Sequence, residues 1–256
     1  LNKQGRSEGV SEEELIFIAI KSMGLDELGA FNPQEKIIEY KLRNIADEKL
    51  VNMTLKEFAN ETASESPAPG GGSIAAYVGS LGMALGTMVA NLSAGKRGWE
   101  DRKDFFSEWA INGQELKKAL IAAVDEDTRA FNRIMEAFGL AKGTDEEKKA
   151  RTQAIEDATK YACDVPYKVM ELAYSGLVLL EQMIEKGNPN SITDAGVGVL
   201  CVKTAVRGAY FNVLVNAQGL KDRAFADDIK NRAQLLLATN HTKADELIAK
   251  VEEAIK

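Results

Sequence analysis

The chain of 256 residues is long enough for one large domain, or for one domain and a fragment of another. Its 45% hydrophobic and 28% charged content is that of an ordinary globular protein, and a formal net charge of −7 argues against nucleic acid or an anionic membrane as a bulk partner, though not against a local basic pocket for a small anion. Two cysteines in no ligand spacing and a single histidine, His241, in a polar run argue against a disulfide framework, a His-rich metal site and a Ser/His/Asp triad.

The expected setting is a reducing, cytoplasmic one, and no charged segment followed by an apolar stretch marks a signal peptide. Ser11 with Glu14 opens a first helix through Leu15, Ile18 and Ala19, and Asn32, Pro33 and Glu35 open a second. Arg43 to Asn52 is charged and without periodicity, and reads as a linker. Thr54 and Glu57 cap a third helix. The stretch from Ser64 to Ser73, SESPAPGGGS, is a turn, because Pro67 and Pro69 oppose helix and three glycines permit tight backbone.

From Ile74 to Leu92 no residue is charged. That length could span a membrane, but its Gly, Ala, Ser, Thr and Asn content favours a buried central helix. Gly82 and Gly86, with Ala76, Ser80 and Ala84, would admit a close neighbour. Helix follows from Asp101 to Phe138, with a break expected at Gly113. The next runs from the Thr144 and Glu147 cap to about Ala162, Pro166 should then reset or kink the chain, and another ends at Gly187. Thr193 should cap a second small-residue helix ending near Gly219, and amphipathic helix from Asp222 fills the rest, with an interruption near Asn240. No strand is expected. The fold class is all-α, a multi-helix bundle with two small-residue helices at its centre.

Leu116, Leu120, Ala123, Asp127, Phe131, Ile134 and Phe138 recur at spacings of three and four, the period of a core-facing stripe. A carboxylate in that stripe is partly desolvated, which raises its pKa toward the range of a general acid or base. Asp125 falls off the stripe and should be wetter. The other reading of Asp127 is a buried structural acid paired with Lys or Arg, and periodicity does not choose between them. Gly70, Gly71, Gly72 and Ser73 place free N–H groups at a helix start, where an anion would be held, although a plain interhelical turn explains them too. Gly208, Asn212 and Asn216 share one helix face, and the two amides could read a flat heterocycle or simply bond between helices. Lys203 and Arg207 could meet a carboxylate, as could Lys96 beside Arg97, or all could be surface charges.

The segments SPAPGGGSIAAYVGSLGMALGTMV, AAVDEDTRAF, TDAGVGV and RGAYFNVLVNAQGL resemble, in that order, the cyclodeaminase domain of the formiminotransferase-cyclodeaminase family, from about Glu48 onward. Bacterial methenyltetrahydrofolate cyclohydrolases of the same fold look similar. Leu1 to about Leu42 is similar to the tail of the formiminotransferase domain, so the boundary is expected at 43/44 and the chain reads as part of a bifunctional protein. The half carrying that transferase's catalytic histidine has no counterpart here, and His241 does not match it by position.

The resemblance implies conversion of 5-formiminotetrahydrofolate to 5,10-methenyltetrahydrofolate and ammonia in histidine degradation. Asp127, the second Asp of the family's Val-Asp-x-Asp segment, would be the acid/base. Tetrahydrofolate is implied as substrate carrier, without a metal. Gly70 to Ser73, Lys96, Asp194 (in TDAGVGV), Lys203, Arg207, Asn212 and Asn216 become candidate contacts to a folate, polyglutamylated or not. A homo-oligomer and a formiminotransferase partner are expected, with no nucleic acid and no membrane. Cyclohydrolase activity, a non-catalytic folate-binding module and a plain oligomerisation domain are the alternatives.

Overall fold

The computed structural model describes residues 7–27, 29–42 and 50–256, and among them there are helices and turns but no strand. The helices are α1 Glu12–Ser22, α2 Pro33–Lys36, α3 Ile38–Leu42, α4 Leu55–Thr62, α5 Gly71–Ala94, α6 Lys103–Gly139, α7 Asp145–Ser175, α8 Leu177–Lys186, α9 Ile192–Gln218 and α10 Arg223–Ala254. Most of the expected linker, residues 43–49, lies outside the described residues.

Side-chain caps set several starts. The Ser11 hydroxyl accepts from the Glu14 N–H, and Asn32 accepts from Gln34 ahead of Pro33. Thr54/Glu57 and Thr144/Glu147 each form the full reciprocal box, which satisfies two otherwise free N–H groups per helix. Asp222 accepts from Phe225 to start α10.

The all-α bundle is organised around α5. Its flanks pack on α6 and α9, α7 leans on α6 and α9, and α10 covers the outside of α9. Small residues make this possible. A Cβ on Gly82 would come 2.9 Å from the Gly198 carbonyl oxygen, so α5 and α9 meet backbone to backbone. Around that contact Met83, Leu120, Met170, Leu180 and Val202 are fully buried, each worth roughly 1.5–3 kcal/mol of transfer free energy. α5, and the stretch Pro189–Gln218 containing α9, are long and apolar enough to cross a membrane by length and composition. In the bundle α5 sits mostly buried.

Four expectations about helix ends are corrected. α6 does not break at Gly113, where a side chain would strike the Thr87 hydroxyl and lie 2.9 Å from Leu179, so this glycine serves a close helix contact. α9 starts at Ile192, directly after a 3-10 turn over Pro189–Ser191, so Thr193 lies inside the first turn rather than at its cap. α10 runs through Asn240 without interruption, and Asn240 is fully buried on the apolar seam with its amide unpartnered. The fourth concerns Pro166, which lies inside a continuous α7, the break falling at Gly176 instead.

Pro166 has no N–H to give the carbonyl four residues back, at Ala162. That carbonyl accepts the Asn216 Nδ2–H of α9 at 2.6 Å. An amide from another helix replaces the missing backbone donor, so the helix persists. Asn216→Ala should therefore cost about 1–2 kcal/mol in urea unfolding. The loss should shrink in a Pro166→Ala background, where the backbone donor returns. Equal losses in both backgrounds would contradict this account.

Candidate active site

α5 has no cap of its own: Gly70 occupies the N-cap position and offers no side chain. Asp127, on α6 and 54 residues beyond Ser73, does the capping. Its Oδ2 accepts the Ser73 N–H at 2.9 Å and lies 3.1 Å from the Ser73 hydroxyl. Ser73 Oγ also lies 2.8 Å from the Val124 carbonyl oxygen. A hydroxyl has one proton to give, so the Val124 carbonyl and the Asp127 carboxylate share it. Gly72 is a requirement of this contact, since a Cβ there would overlap Asp127 Oδ1. The two features read separately from sequence, an acid in a seam and a glycine turn at a helix start, are one site. The anion held at the turn is the protein's own carboxylate.

Burial pushes the Asp127 pKa up, and the two Ser73 contacts pull against that rise without cancelling it. No described basic side chain makes an ion pair with Asp127 closer than 4.0 Å. Among the described residues no group hydrogen-bonds to Oδ1. Asn212 stands beside the turn, its Nδ2 3.5 Å from where a Gly71 Cβ would be, and donates to the Gly208 carbonyl within α9 at 3.0 Å.

Asp125 corrects the expectation that it would be the wetter acid. It is 4% exposed and accepts from the N–H groups of Leu50 at 2.9 Å and Val51 at 3.3 Å. Its role is structural: it pins the segment leading into α4 against α6. Between them Glu126 accepts from Arg129 Nε at 2.7 Å and from the Tyr161 hydroxyl, tying α6 to α7. These three consecutive carboxylates point three ways.

The structure brings Gly70, Gly71, Gly72, Ser73, Asp127 and Asn212 together. It does not bring the other candidates to them. Asn216 is taken up by Ala162. Lys203 pairs with Asp245, and Arg207 Nη2 lies 2.8 Å from His241 Nε2, so both cations turn toward α10. His241 Nδ1 faces the Leu237 carbonyl at 2.9 Å, so this histidine is a half-buried partner of Arg207 rather than a free surface residue. Lys96 lies past the far end of α5, over the Trp99 ring at 3.9 Å, and roughly 35 Å from Ser73 by helix rise. Asp194 lies in the first turn of α9, roughly 27 Å before Asn212. Within one chain neither reaches the Asp127 site. Among the described residues no cluster of three or more His, Cys, Asp or Glu could hold a metal ion.

Comparison with known proteins bears on this geometry. The family model described as formiminotransferase-cyclodeaminase matches residues 54–235, and the formiminotransferase domain model matches residues 1–43. A methenyltetrahydrofolate cyclohydrolase of Methylorubrum extorquens is 40% identical over 80% of this chain and 97% of its own length. The formimidoyltransferase-cyclodeaminase of Rattus norvegicus is 33% identical over 95% of this chain, which spans 45% of that relative's length. The crystal structure of formiminotetrahydrofolate cyclodeaminase from Thermotoga maritima superposes with a TM-score of 0.67 at 25% identity, covering 80% of this chain and 97% of that one.

The raised pKa of Asp127 has a consequence for stability. The folded chain holds that proton more tightly than the unfolded chain, so the favourable contribution is complete at low pH and is lost as pH rises through the folded-state pKa. Asp127→Asn should therefore melt at or above wild type at pH 8, since its amide oxygen can still accept from Ser73. The difference should close below about pH 4, where Asp127 of the wild type becomes neutral in the unfolded chain as well as the folded one. Calorimetry across pH checks this, and a lower melting temperature at pH 8 would contradict it.

Proposed function

The chain belongs to the formiminotransferase-cyclodeaminase family, and from that membership we propose that it is a formimidoyltetrahydrofolate cyclodeaminase with Asp127 as its acid/base. The observation that carries the reading is the half-buried Asp127 carboxylate, held by Ser73 through Oδ2 and without a described hydrogen bond at Oδ1. In this reaction the protonated formimino group on N5 presents an electrophilic carbon. N10 attacks it, forming a C–N bond and a tetrahedral carbon that bears an amino group. Asp127 takes the proton from N10 and gives it to that amine. The C–N bond to the amine then breaks, ammonia leaves, and 5,10-methenyltetrahydrofolate remains with the carboxylate regenerated. A carboxylate whose pKa is raised by burial serves both halves of this transfer better than an exposed one. Holding N5 and N10 in attack geometry supplies much of the rate.

A second reading, methenyltetrahydrofolate cyclohydrolase, is favoured by the 40% identity to the Methylorubrum extorquens protein. There water attacks the same methenyl carbon, and Asp127 would take its proton. The transferase-type match over residues 1–43 supports the cyclodeaminase reading, because an adjoining transferase would supply the formimino group that it consumes. We extend the proposal to a domain boundary at 43/44 and to a cytoplasmic setting, which suits the unpaired Cys163 and Cys201. We extend it also to self-association through the apolar outer faces of α5 and α9, where Leu81, Leu92, Val197 and Leu200 are exposed.

Ammonia release and methenyl absorbance from 5-formiminotetrahydrofolate test the proposal. Wild type should turn over, and Asp127→Asn should lose on the order of 10²–10⁴-fold in kcat. Hydrolysis of methenyltetrahydrofolate without ammonia release from the formimino compound would select the second reading. Asp127 must be ionised to accept the N10 proton, and the Ser73 hydroxyl lowers its pKa. The acidic limb of the kcat profile should therefore move to higher pH in Ser73→Ala. A limb that stays in place would separate Ser73 from Asp127 ionisation.

A further inference from the structure

The face of α6 that packs on α5 continues past the point where α5 begins. Asp127 lies against Gly72 in the first turn of α5, and α6 runs on to Gly139, roughly 18 Å further. At about 100° per residue, Phe131, Ile134 and Phe138 fall within roughly 40° of Asp127 around the axis. Ile134 packs with the buried Ala130, Ala162 and Val165 between α6 and α7. Phe131 and Phe138 do not find cover: they are 40% and 50% exposed. An aromatic strip thus begins one turn beyond the carboxylate, half-exposed at Phe131 and flanked at Phe138 by Arg151 of α7. On another side of the same carboxylate, toward α9, lie the Gly70–Gly72 backbone and the Asn212 amide.

We propose that Phe131, with Phe138 beyond it, is the subsite for the aminobenzoyl ring of the folate, and that the pterin ring lies on the Asn212 side of Asp127. The inference rests on the folate reading of the site. In tetrahydrofolate the aryl ring is bonded directly to N10, the atom whose proton Asp127 accepts, so the ring must lie on a surface adjoining Oδ1. Of the two adjoining surfaces, the strip is apolar and aromatic, and suits a ring with few polar edges. The turn with its amide offers the donors and acceptors that a pterin edge requires. Arg151 stands at the outer end of the strip. Its guanidinium donates to the Phe138 carbonyl at 3.1 Å and lies 5.7 Å from the Phe138 ring, a cation placed where an acidic glutamate tail would emerge.

Anaerobic titration calorimetry with two ligands tests the orientation: 5-formyltetrahydrofolate, which carries the aryl arm, and 6-methyltetrahydropterin, which lacks it. Phe131→Ala should weaken the first roughly tenfold and leave the second unchanged, while Phe131→Tyr should bind both like wild type. Phe131 is exposed, so the fold should survive, and circular dichroism with light scattering confirms fold and oligomeric state. Undiminished folate binding in both Phe131→Ala and Phe138→Ala, equal loss of both ligands, or dissociation of an oligomer would overturn the assignment, the last by making the strip a subunit contact. Wild type that binds neither ligand would instead overturn the folate reading, and this proposal with it.

Discussion

Much of the molecule depends on one hydrogen bond across the bundle, from the Ser73 N–H to the Asp127 carboxylate. A helix start that faces other helices leaves donors without partners, and burying such a donor unpaired costs on the order of 1–3 kcal/mol. α5 solves this with an acid borrowed from α6 rather than with a side chain at its own N-cap. Borrowing fixes the relative height of the two helices and requires Gly72 to be bare. It also holds a carboxylate in surroundings where burial favours its protonated form. The same contact is thus a cap, a register mark and the anchor of a half-buried carboxylate.

Asp125, Glu126 and Asp127 show how little side-chain type decides by itself. Three acids in consecutive positions meet three surroundings, because successive residues point about 100° apart around a helix. Asp125 finds two main-chain donors, Glu126 finds a tyrosine and an arginine, and Asp127 finds one serine. Among the described residues, only the last has an oxygen without a hydrogen bond.

What the sequence made legible was local. The Thr54/Glu57 and Thr144/Glu147 caps, the turn at Gly70 to Ser73 and the seam through Asp127 follow from chemistry within one or two turns. Long-range compensation was hidden. Pro166 reads as a break because nothing nearby shows that Asn216, fifty residues on, supplies the missing donor. Asp125 reads as wet because its partners are main-chain groups about 75 residues away that carry no side-chain signal. Phe131 and Phe138 read as core because periodicity tells which way a residue faces but not how far the neighbouring helix extends. Lys203 and Arg207 share one stripe of α9, and their engagement by α10 depends on packing that only the folded chain displays.

The main-chain carbonyl of Gly9 receives two side-chain amides of the bundle, Asn91 at 3.0 Å and Gln114 at 3.1 Å, and a Cβ on Gly9 would overlap Ala110. The matched boundary between the two family models is therefore not a seam along which the molecule comes apart. Severed at residue 54, the bundle would keep every helix from α4 onward. It would nevertheless expose Ala110 and two amides where Gly9 had been, and strip Asp125 of the Leu50 and Val51 hydrogen-bond donors. Evolutionary modules can be joined and parted in the gene at one place while the folded units interlock at another, and here the interlock at Gly9 lies 45 residues upstream of the matched edge at residue 54.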